Sequence, residues 1–399
     1  MEIYIYMIKR MARSNNQYRD ILGRYYTNND ISHLLSMQLE DRNNKSVLDL
    51  GSGDGSLFLA VLKRWPSIKV YSADIEDKPS IHPAQNHIKC DVLSADLFSL
   101  FDIEENSVDL VVCNPPFIPG FIGISNTYAK QYEYTGSCIT SEIVFFEKSM
   151  SFLKFNGEAA FILPDGFFSS IKHKMFRKYL TDKFFIKKII ELPSGAFKAT
   201  EAKTHILIIE KPNSKIINSI SITMSKFENG TLSPEIEISN LEFISRGDYS
   251  FYGKVKNRDV INGVSIGTIS NVIRGRYSSA EIKTKNIPYI HTTNINNIEW
   301  NDIQELDSNY HPSVAKAGDI VMSRVGRSFQ KKIQYVKSGS YIISDCIFII
   351  RSQKYSHDIY QYLTSEEGQN ELCGHAYGVG AKQISITQLK SIVVPVTGE

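Results

Sequence analysis

Long apolar runs are missing from this chain. No stretch approaches the ~20 consecutive apolar residues that a membrane-spanning helix needs, so no membrane partner is expected. The opening Met1-Glu2-Ile3-Tyr4-Ile5-Tyr6-Met7 is too short and wrongly flanked for a secretory signal, and Met7 or Met11 is an alternative start. Cysteine is scarce too. Cys90, Cys113, Cys138, Cys346 and Cys373 are odd in number and show no CxxC spacing. That pattern argues for reduced thiols in a cytoplasm, and against a disulfide framework or structural zinc. The nine histidines include no HExxH, so no metal is expected. Excess charge is also lacking: 45 Lys and Arg stand against 43 Asp and Glu, a net +2. Any nucleic-acid surface must therefore be a local patch.

What is present is ordered around one short stretch. The apolar run Val108 to Cys113 stops at Asn114-Pro115-Pro116-Phe117. Proline lacks the N–H a central strand needs, so this is a strand end. Open α/β sheets bind ligands at the carboxyl ends of their strands. An amide oxygen and a peptide carbonyl accept two hydrogens, and an aromatic ring stacks on a planar group. Those residue types suit the holding of a planar amine. A strand-ending turn with no further role is the alternative.

At 399 residues two domains are expected. A helical stretch from Gln17 to Glu40 is interrupted by Gly23 to Asp30, with Thr27 or Asn28 as the cap of its second part. Ser46 to Leu50 reads as a buried strand, followed by Gly51-Ser52-Gly53-Asp54-Gly55 and a helix from Ser56 to Lys63. Strand, glycine loop and helix form the first unit of a dinucleotide-type fold. A second strand, Ile68 to Ala73, ends in Asp74, at the spacing where an acid meets ribose hydroxyls. A third ends at Cys90-Asp91, and the fourth reaches Asn114. A helix over Ser141 to Leu153 and strands over Gly157 to Pro164, Phe185 to Glu191 and Thr204 to Glu210 complete seven strands of a doubly wound α/β domain. The basic helix Lys172 to Leu180 reads as a solvated face. The stretch Lys215 to Ser245 reads as connector and edge strands.

From about Gly247 the periodicity changes to short strands separated by Gly-Asp, Ser-Gly and Asn-rich turns, followed by a helix from His357 to Leu372. The expected division is 1–44 as a helical segment, 45–213 as a catalytic domain, 214–246 as connector and 247–399 as a mixed α/β second domain. Arg274-Gly275-Arg276-Tyr277, Arg324, Arg327 and Lys331-Lys332 lie in its loops. Arginine beside tyrosine and asparagine is what major-groove reading requires, and also what a solvated β-rich surface carries.

Asn114-Pro115-Pro116-Phe117 resembles the catalytic motif of amino-methyltransferases, in the form used for adenine. The combination resembles the γ-class DNA adenine-N6 methyltransferases over nearly the whole chain. Gly23 to Thr27 is similar to their motif X, with Asn28 where proline is usual, and Asp49 to Gly55 is similar to motif I. The resemblance implies S-adenosylmethionine as cofactor, held by Tyr26, Thr27, Asp49, Gly51, Gly53, Asp74 and Asp91. It implies catalysis by Asn114, Pro115, Pro116 and Phe117. Glu191 to Lys211 resembles the end of a type I modification subunit's catalytic domain, which would set Phe197 at the target-base pocket. Ala317 to Arg324 and Ile384 to Ile392 resemble one target-recognition half of a type I specificity subunit. Arg274, Arg324, Arg327, Lys331 and Lys332 would then meet double-stranded DNA. Partners implied are a restriction endonuclease or a second specificity subunit, with the chain a monomer or homodimer. Two alternatives stay open: an RNA or protein-glutamine N-methyltransferase, and a DNA specificity protein with an inactive catalytic half.

Overall fold

The computed structural model describes residues 27–77, 80–118, 139–197, 203–213, 221–256, 263–284, 287–300, 306, 313–377 and 381–396. The chain divides into two compact units, Met1–Tyr249 and Ser250–Glu399. No helix among the described residues is long and apolar enough to cross a membrane.

In the first unit, α1 (Asn29–Gln38) precedes β1 (Ser46–Leu50), α2 (Ser56–Arg64), β2 (Lys69–Asp74), β3 (Gln85–Lys89) and β4 (Val108–Cys113). Then come α3 (Ser141–Phe152), β5 (Leu153–Pro164), α4 (Lys174–Lys183), β6 (Phe185–Glu191) and β7 (Thr204–Glu210). The strand order β6-β7-β5-β4-β1-β2-β3 is parallel except for β7, which is antiparallel to both neighbours. This is the seven-stranded doubly wound sheet expected from the sequence. The stretch expected as edge strands supplies β8 (Ile222–Glu228), β9 (Thr231–Leu232) and β10 (Ile236–Ile238), with β8 parallel to β6. It also supplies α5 (Asn240–Ser245), begun by a capping box of Ser239 and Glu242.

Both sheet faces are covered because the strands alternate apolar side chains in both directions. Val47, Val70, Leu110 and Val112 pack under Ile31 and Leu35 of α1 and Leu57, Phe58 and Val61 of α2. On the opposite face Phe161 meets Phe146 of α3 with ring centroids 4.8 Å apart. Each such fully buried aromatic or aliphatic side chain contributes about 1.5–3 kcal/mol.

Several boundaries differ from the sequence expectation, most by a residue or two. The third strand stops at Lys89, and β5 begins at Leu153, four residues before Gly157. Asn156 takes a left-handed φ of 60°, tolerated by asparagine, and its N–H reaches the Lys211 carbonyl. The polar turn hides inside a continuous strand. The expected helix His357 to Leu372 is two helices, Ser356–Thr364 and Glu366–His375. Ser365 is extended (ψ 164°) and caps the second helix through the Gly368 N–H. A Cβ on Gly368 would stand 1.8 Å from the Tyr362 carbonyl, so only glycine permits that turn.

The second unit has a four-stranded antiparallel sheet in the order Asn271–Arg274, Ile347–Arg351, Ile320–Ser323, Ile333–Tyr335. A smaller sheet joins Tyr289–Ile290, Ser340–Ile343 and Val314–Lys316. Arg351 pairs with Asp319 at 2.7 Å and ties the turn after Gly318 to the larger sheet.

Candidate active site

The glycine loop is shaped by where β1 and β2 end. Leu50 pairs with Ala73, and the peptide N–H groups of Gly51 and Ser52 both donate to the Ala73 carbonyl, at 2.8 and 3.1 Å. The chain then climbs to α2 through positive φ at Gly51 (72°), Gly53 (54°) and Gly55 (81°). A Cβ on Gly55 would stand 2.6 Å from the Phe58 ring, so backbone strain and packing both select glycine there.

Asp74 closes this loop from the end of β2. It is 8% exposed; its Oδ2 accepts from the Gly53 N–H at 2.8 Å and its Oδ1 from the Glu76 N–H at 3.0 Å. A carboxylate offers about four lone-pair sites, so two remain for a ligand. Asp49 sits behind the loop, fully buried. Burial first, then the charges of Asp74 and Asp54, push its carboxyl well above the usual range, though the Phe58 N–H works the other way. Asp91 follows β3 on the same sheet edge. It caps its own turn, accepting from the Leu93 N–H at 3.0 Å and the Ser94 hydroxyl at 3.1 Å.

Asn114 emerges from β4, next to β1 in the sheet: Asp49 pairs with Val112, and Cys113 Sγ meets the Leu50 carbonyl at 3.1 Å. A Cβ on Gly51 would stand 3.7 Å from Pro116. The Asn-Pro-Pro-Phe turn therefore abuts the glycine loop. Asn114 Nδ2 donates to the Thr27 hydroxyl at 3.1 Å. Pro115 is buried, and the Pro116 carbonyl accepts from the Ser141 hydroxyl at 2.8 Å and the Ile118 N–H at 3.2 Å. Phe117 is partly buried against the α1/α2-side core, and Phe197, only 2% exposed, belongs to that same core. Of the residues expected around the cofactor, Tyr26 lies outside the described residues. Thr27, Asp49, Gly51, Gly53, Asp74 and Asp91 lie along one edge of the sheet, with Asn114 among them.

Sequence reasoning missed a buried ionic cluster on the same edge. Asp165 follows β5, Glu191 ends β6, Lys203 precedes β7 and His205 is the second residue of β7. Lys203 Nζ lies 2.8 Å from Glu191 and 3.4 Å from Asp165, and the His205 ring stacks on Phe168 at 4.3 Å. Burial disfavours the Lys203 charge, but Asp165 and Glu191 outweigh it and hold the ammonium above its ordinary range. The signal available was position: each charge sits at the mouth of an apolar strand.

In the second unit Arg274 pairs across from Phe348, and the Arg324 N–H reaches the Cys346 carbonyl, which brings both arginines to one end of the larger sheet. Lys332 joins them through its carbonyl, which accepts from the Ser323 N–H, while its Nζ is held by the Thr292 carbonyl at 2.6 Å. Arg274 Nε donates to the Asp345 carbonyl at 3.1 Å. Arg327 and Lys331 are exposed.

The profile of the N-6 DNA methylase family matches residues 1–230. The methylase subunit of the type I restriction enzyme MpnII from Mycoplasma pneumoniae is 25% identical over 278 residues, 60% of this chain and 50% of that protein. A tRNA1(Val) (adenine(37)-N6)-methyltransferase from Glaesserella parasuis is 27% identical over 137 residues, 33% of this chain and 56% of that protein. The chain thus spans about half the length of these curated relatives. The solved methyltransferase subunit of a type I restriction-modification system from Streptococcus thermophilus superposes with a TM-score of 0.44 at 20% identity, covering 57% of this chain and 53% of that one. With more than half of its 399 residues matched by the family profile, the chain belongs to the N-6 DNA methylase family.

Proposed function

We propose that this chain is a site-specific DNA methyltransferase that moves a methyl group from S-adenosylmethionine to N6 of a flipped-out adenine, within a restriction-modification or related system. The observation that carries the reading is the Asn-Pro-Pro-Phe turn set against the glycine loop at the carboxyl ends of β4 and β1. The donor set fits the cofactor. Asp74 keeps acceptor capacity for two ribose hydroxyls, and the left-handed glycines keep the loop backbone open to close approach. When bound, S-adenosylmethionine supplies an electrophilic methyl on a sulfonium.

The adenine amine is a poor nucleophile because its lone pair is delocalised into the ring. Asn114 Oδ1 and the Pro115 carbonyl accept its two hydrogens, which draws the nitrogen toward tetrahedral geometry and localises the lone pair. The Pro116 carbonyl is already engaged by Ser141 and Ile118, and among the described residues no donor meets Pro115's. This is positioning with electrostatic preorganisation. Flipping the base costs a few kcal/mol, which stacking on Phe117 partly offsets. Residues 250–399 read the site, Arg274, Arg324 and Arg327 at base edges and Lys331 at phosphate. Lys332, with one of its three donors on the Thr292 carbonyl, meets phosphate beside it.

The tRNA methyltransferase relative favours RNA as the second reading. The full chain, given radiolabelled S-adenosylmethionine with adenine-unmethylated DNA or with tRNA, separates the two. Labelled N6-methyladenine in DNA is expected. Label in tRNA alone, or in neither, overturns the proposal.

A further inference from the structure

Thr27 stands one residue before the N-cap of α1, the position at which a hydroxyl would serve the helix. Here Asn28 does that work: its Oδ1 accepts from the Ile31 N–H at 2.9 Å, and its carbonyl takes the Ser32 hydroxyl at 2.8 Å. The Thr27 hydroxyl is released from capping. It is buried at 6% exposure, and a buried hydroxyl needs a partner. Its partner is Nδ2 of Asn114, 3.1 Å away and 87 residues along the chain.

That contact bears on the chemistry assigned to Asn114. A carboxamide has two ends of nearly equal size and opposite hydrogen-bonding character. Turned about its last bond, it would present an NH2 group to the amine of the base, donor against donor. The Thr27 hydroxyl can accept from Nδ2 or donate to Oδ1, so it holds the carboxamide in place, and the base amine selects the sense: Nδ2 to Thr27, Oδ1 to the amine. Pro115 and Pro116 contribute no N–H to the turn, which the Ile118 N–H closes on the Pro116 carbonyl at 3.2 Å. Ser141, fully buried at the start of α3, supplies the second brace through the Pro116 carbonyl.

We propose that Thr27 is a positioning residue of the catalytic turn, its hydroxyl fixing the plane of the Asn114 carboxamide. It is not a contact to the cofactor. The proposal rests on Asn114 Oδ1 being the acceptor for the target amine. Ser141 does the same for the peptide of Pro116.

The test compares Thr27→Val, which keeps the shape and loses the hydroxyl, with Thr27→Ser, which keeps the hydroxyl, both in the full chain. For each, cofactor affinity is measured by calorimetry with S-adenosylmethionine, and kcat at saturating cofactor with the DNA that the wild type methylates. Thr27→Val should lower kcat about three- to tenfold, the range one neutral hydrogen bond supports, with cofactor affinity unchanged. Thr27→Ser should restore kcat. A raised cofactor Kd with kcat retained at saturation would make Thr27 a cofactor contact and overturn the proposal, as would wild-type behaviour of Thr27→Val. If Thr27→Val melts too early for kinetics, a double-mutant cycle of melting temperature with Asn114→Ala reads the contact directly, and zero coupling overturns it. A wild type that methylates no DNA would instead overturn the reading of Asn114, an outcome visible before any variant is made.

Discussion

Replacing Asp74 by alanine removes two functions at once, and the structure separates them. In the protein alone, Asp74 Oδ2 holds the Gly53 N–H at 2.8 Å, with the carboxylate 8% exposed. A hydrogen bond to a charged acceptor contributes about 1.5–3 kcal/mol. For a unit of roughly 250 residues each kcal/mol moves the melting temperature by about 2–4 °C, so Asp74→Ala should melt roughly 3–12 °C lower. In the complex, the remaining lone pairs would meet the ribose hydroxyls. Losing even one such charge-assisted bond should weaken S-adenosylmethionine binding about 10- to 100-fold. Asp74→Asn keeps an oxygen for Gly53 and loses the charge, so it should recover most of the melting temperature and less of the affinity. Calorimetric titration with S-adenosylmethionine, together with melting curves with and without it, reads both quantities. At one hundred times Kd the wild type should gain about 2.7 kcal/mol from the ligand, a rise that Asp74→Ala should largely lose. A lower melting temperature with unchanged cofactor affinity would reduce Asp74 to a loop staple and refute its ribose role.

Lys203→Met leaves Asp165 and Glu191 buried with their cation gone; denaturant unfolding should show a loss of about 3–5 kcal/mol, and a loss under 1 kcal/mol would mean that water reaches the cluster. His173 stacks on Phe167 at 4.1 Å, and burial, then Arg177 and Lys172, push it from 6.5 down to about 4. A depressed histidine favours the neutral form in the folded state, so its contribution is full above pH 6.5 and is lost as pH falls toward 4. His173→Phe should flatten the stability profile across that window, measured by urea unfolding at a series of pH values. Lys331→Ala should weaken binding to every duplex alike and reduce the salt dependence by about one unit; a change confined to one sequence would move Lys331 to a base edge.

The sheet was legible because its strands are apolar runs that stop abruptly. Ser46 to Leu50, Val108 to Cys113, Phe185 to Glu191 and Thr204 to Glu210 stand where the sequence placed them. What escaped depends on tertiary contact or on one unusual backbone angle. Asn156 looks like a turn and is a left-handed residue within β5. Ser365 is a preferred cap residue set within a helical pattern, and it separates two helices because Gly368 must pass the Tyr362 carbonyl. Lys332 reads as a phosphate contact, and nothing in the sequence signals that its ammonium also donates to the Thr292 carbonyl at 2.6 Å, which leaves two of its three donors. Thr27 reads as a cap or a motif residue, and only the folded chain brings it to Asn114.

The most direct measurement is modification-sensitive sequencing of DNA from an adenine-methylation-free host expressing either this chain or its Asn114→Ala variant. N6-methyladenine at one recurring sequence context with the wild type, and none with Asn114→Ala while the variant stays folded and keeps its cofactor affinity, is the predicted result. Unmodified DNA from the wild-type host, or equal modification by the variant, would contradict it.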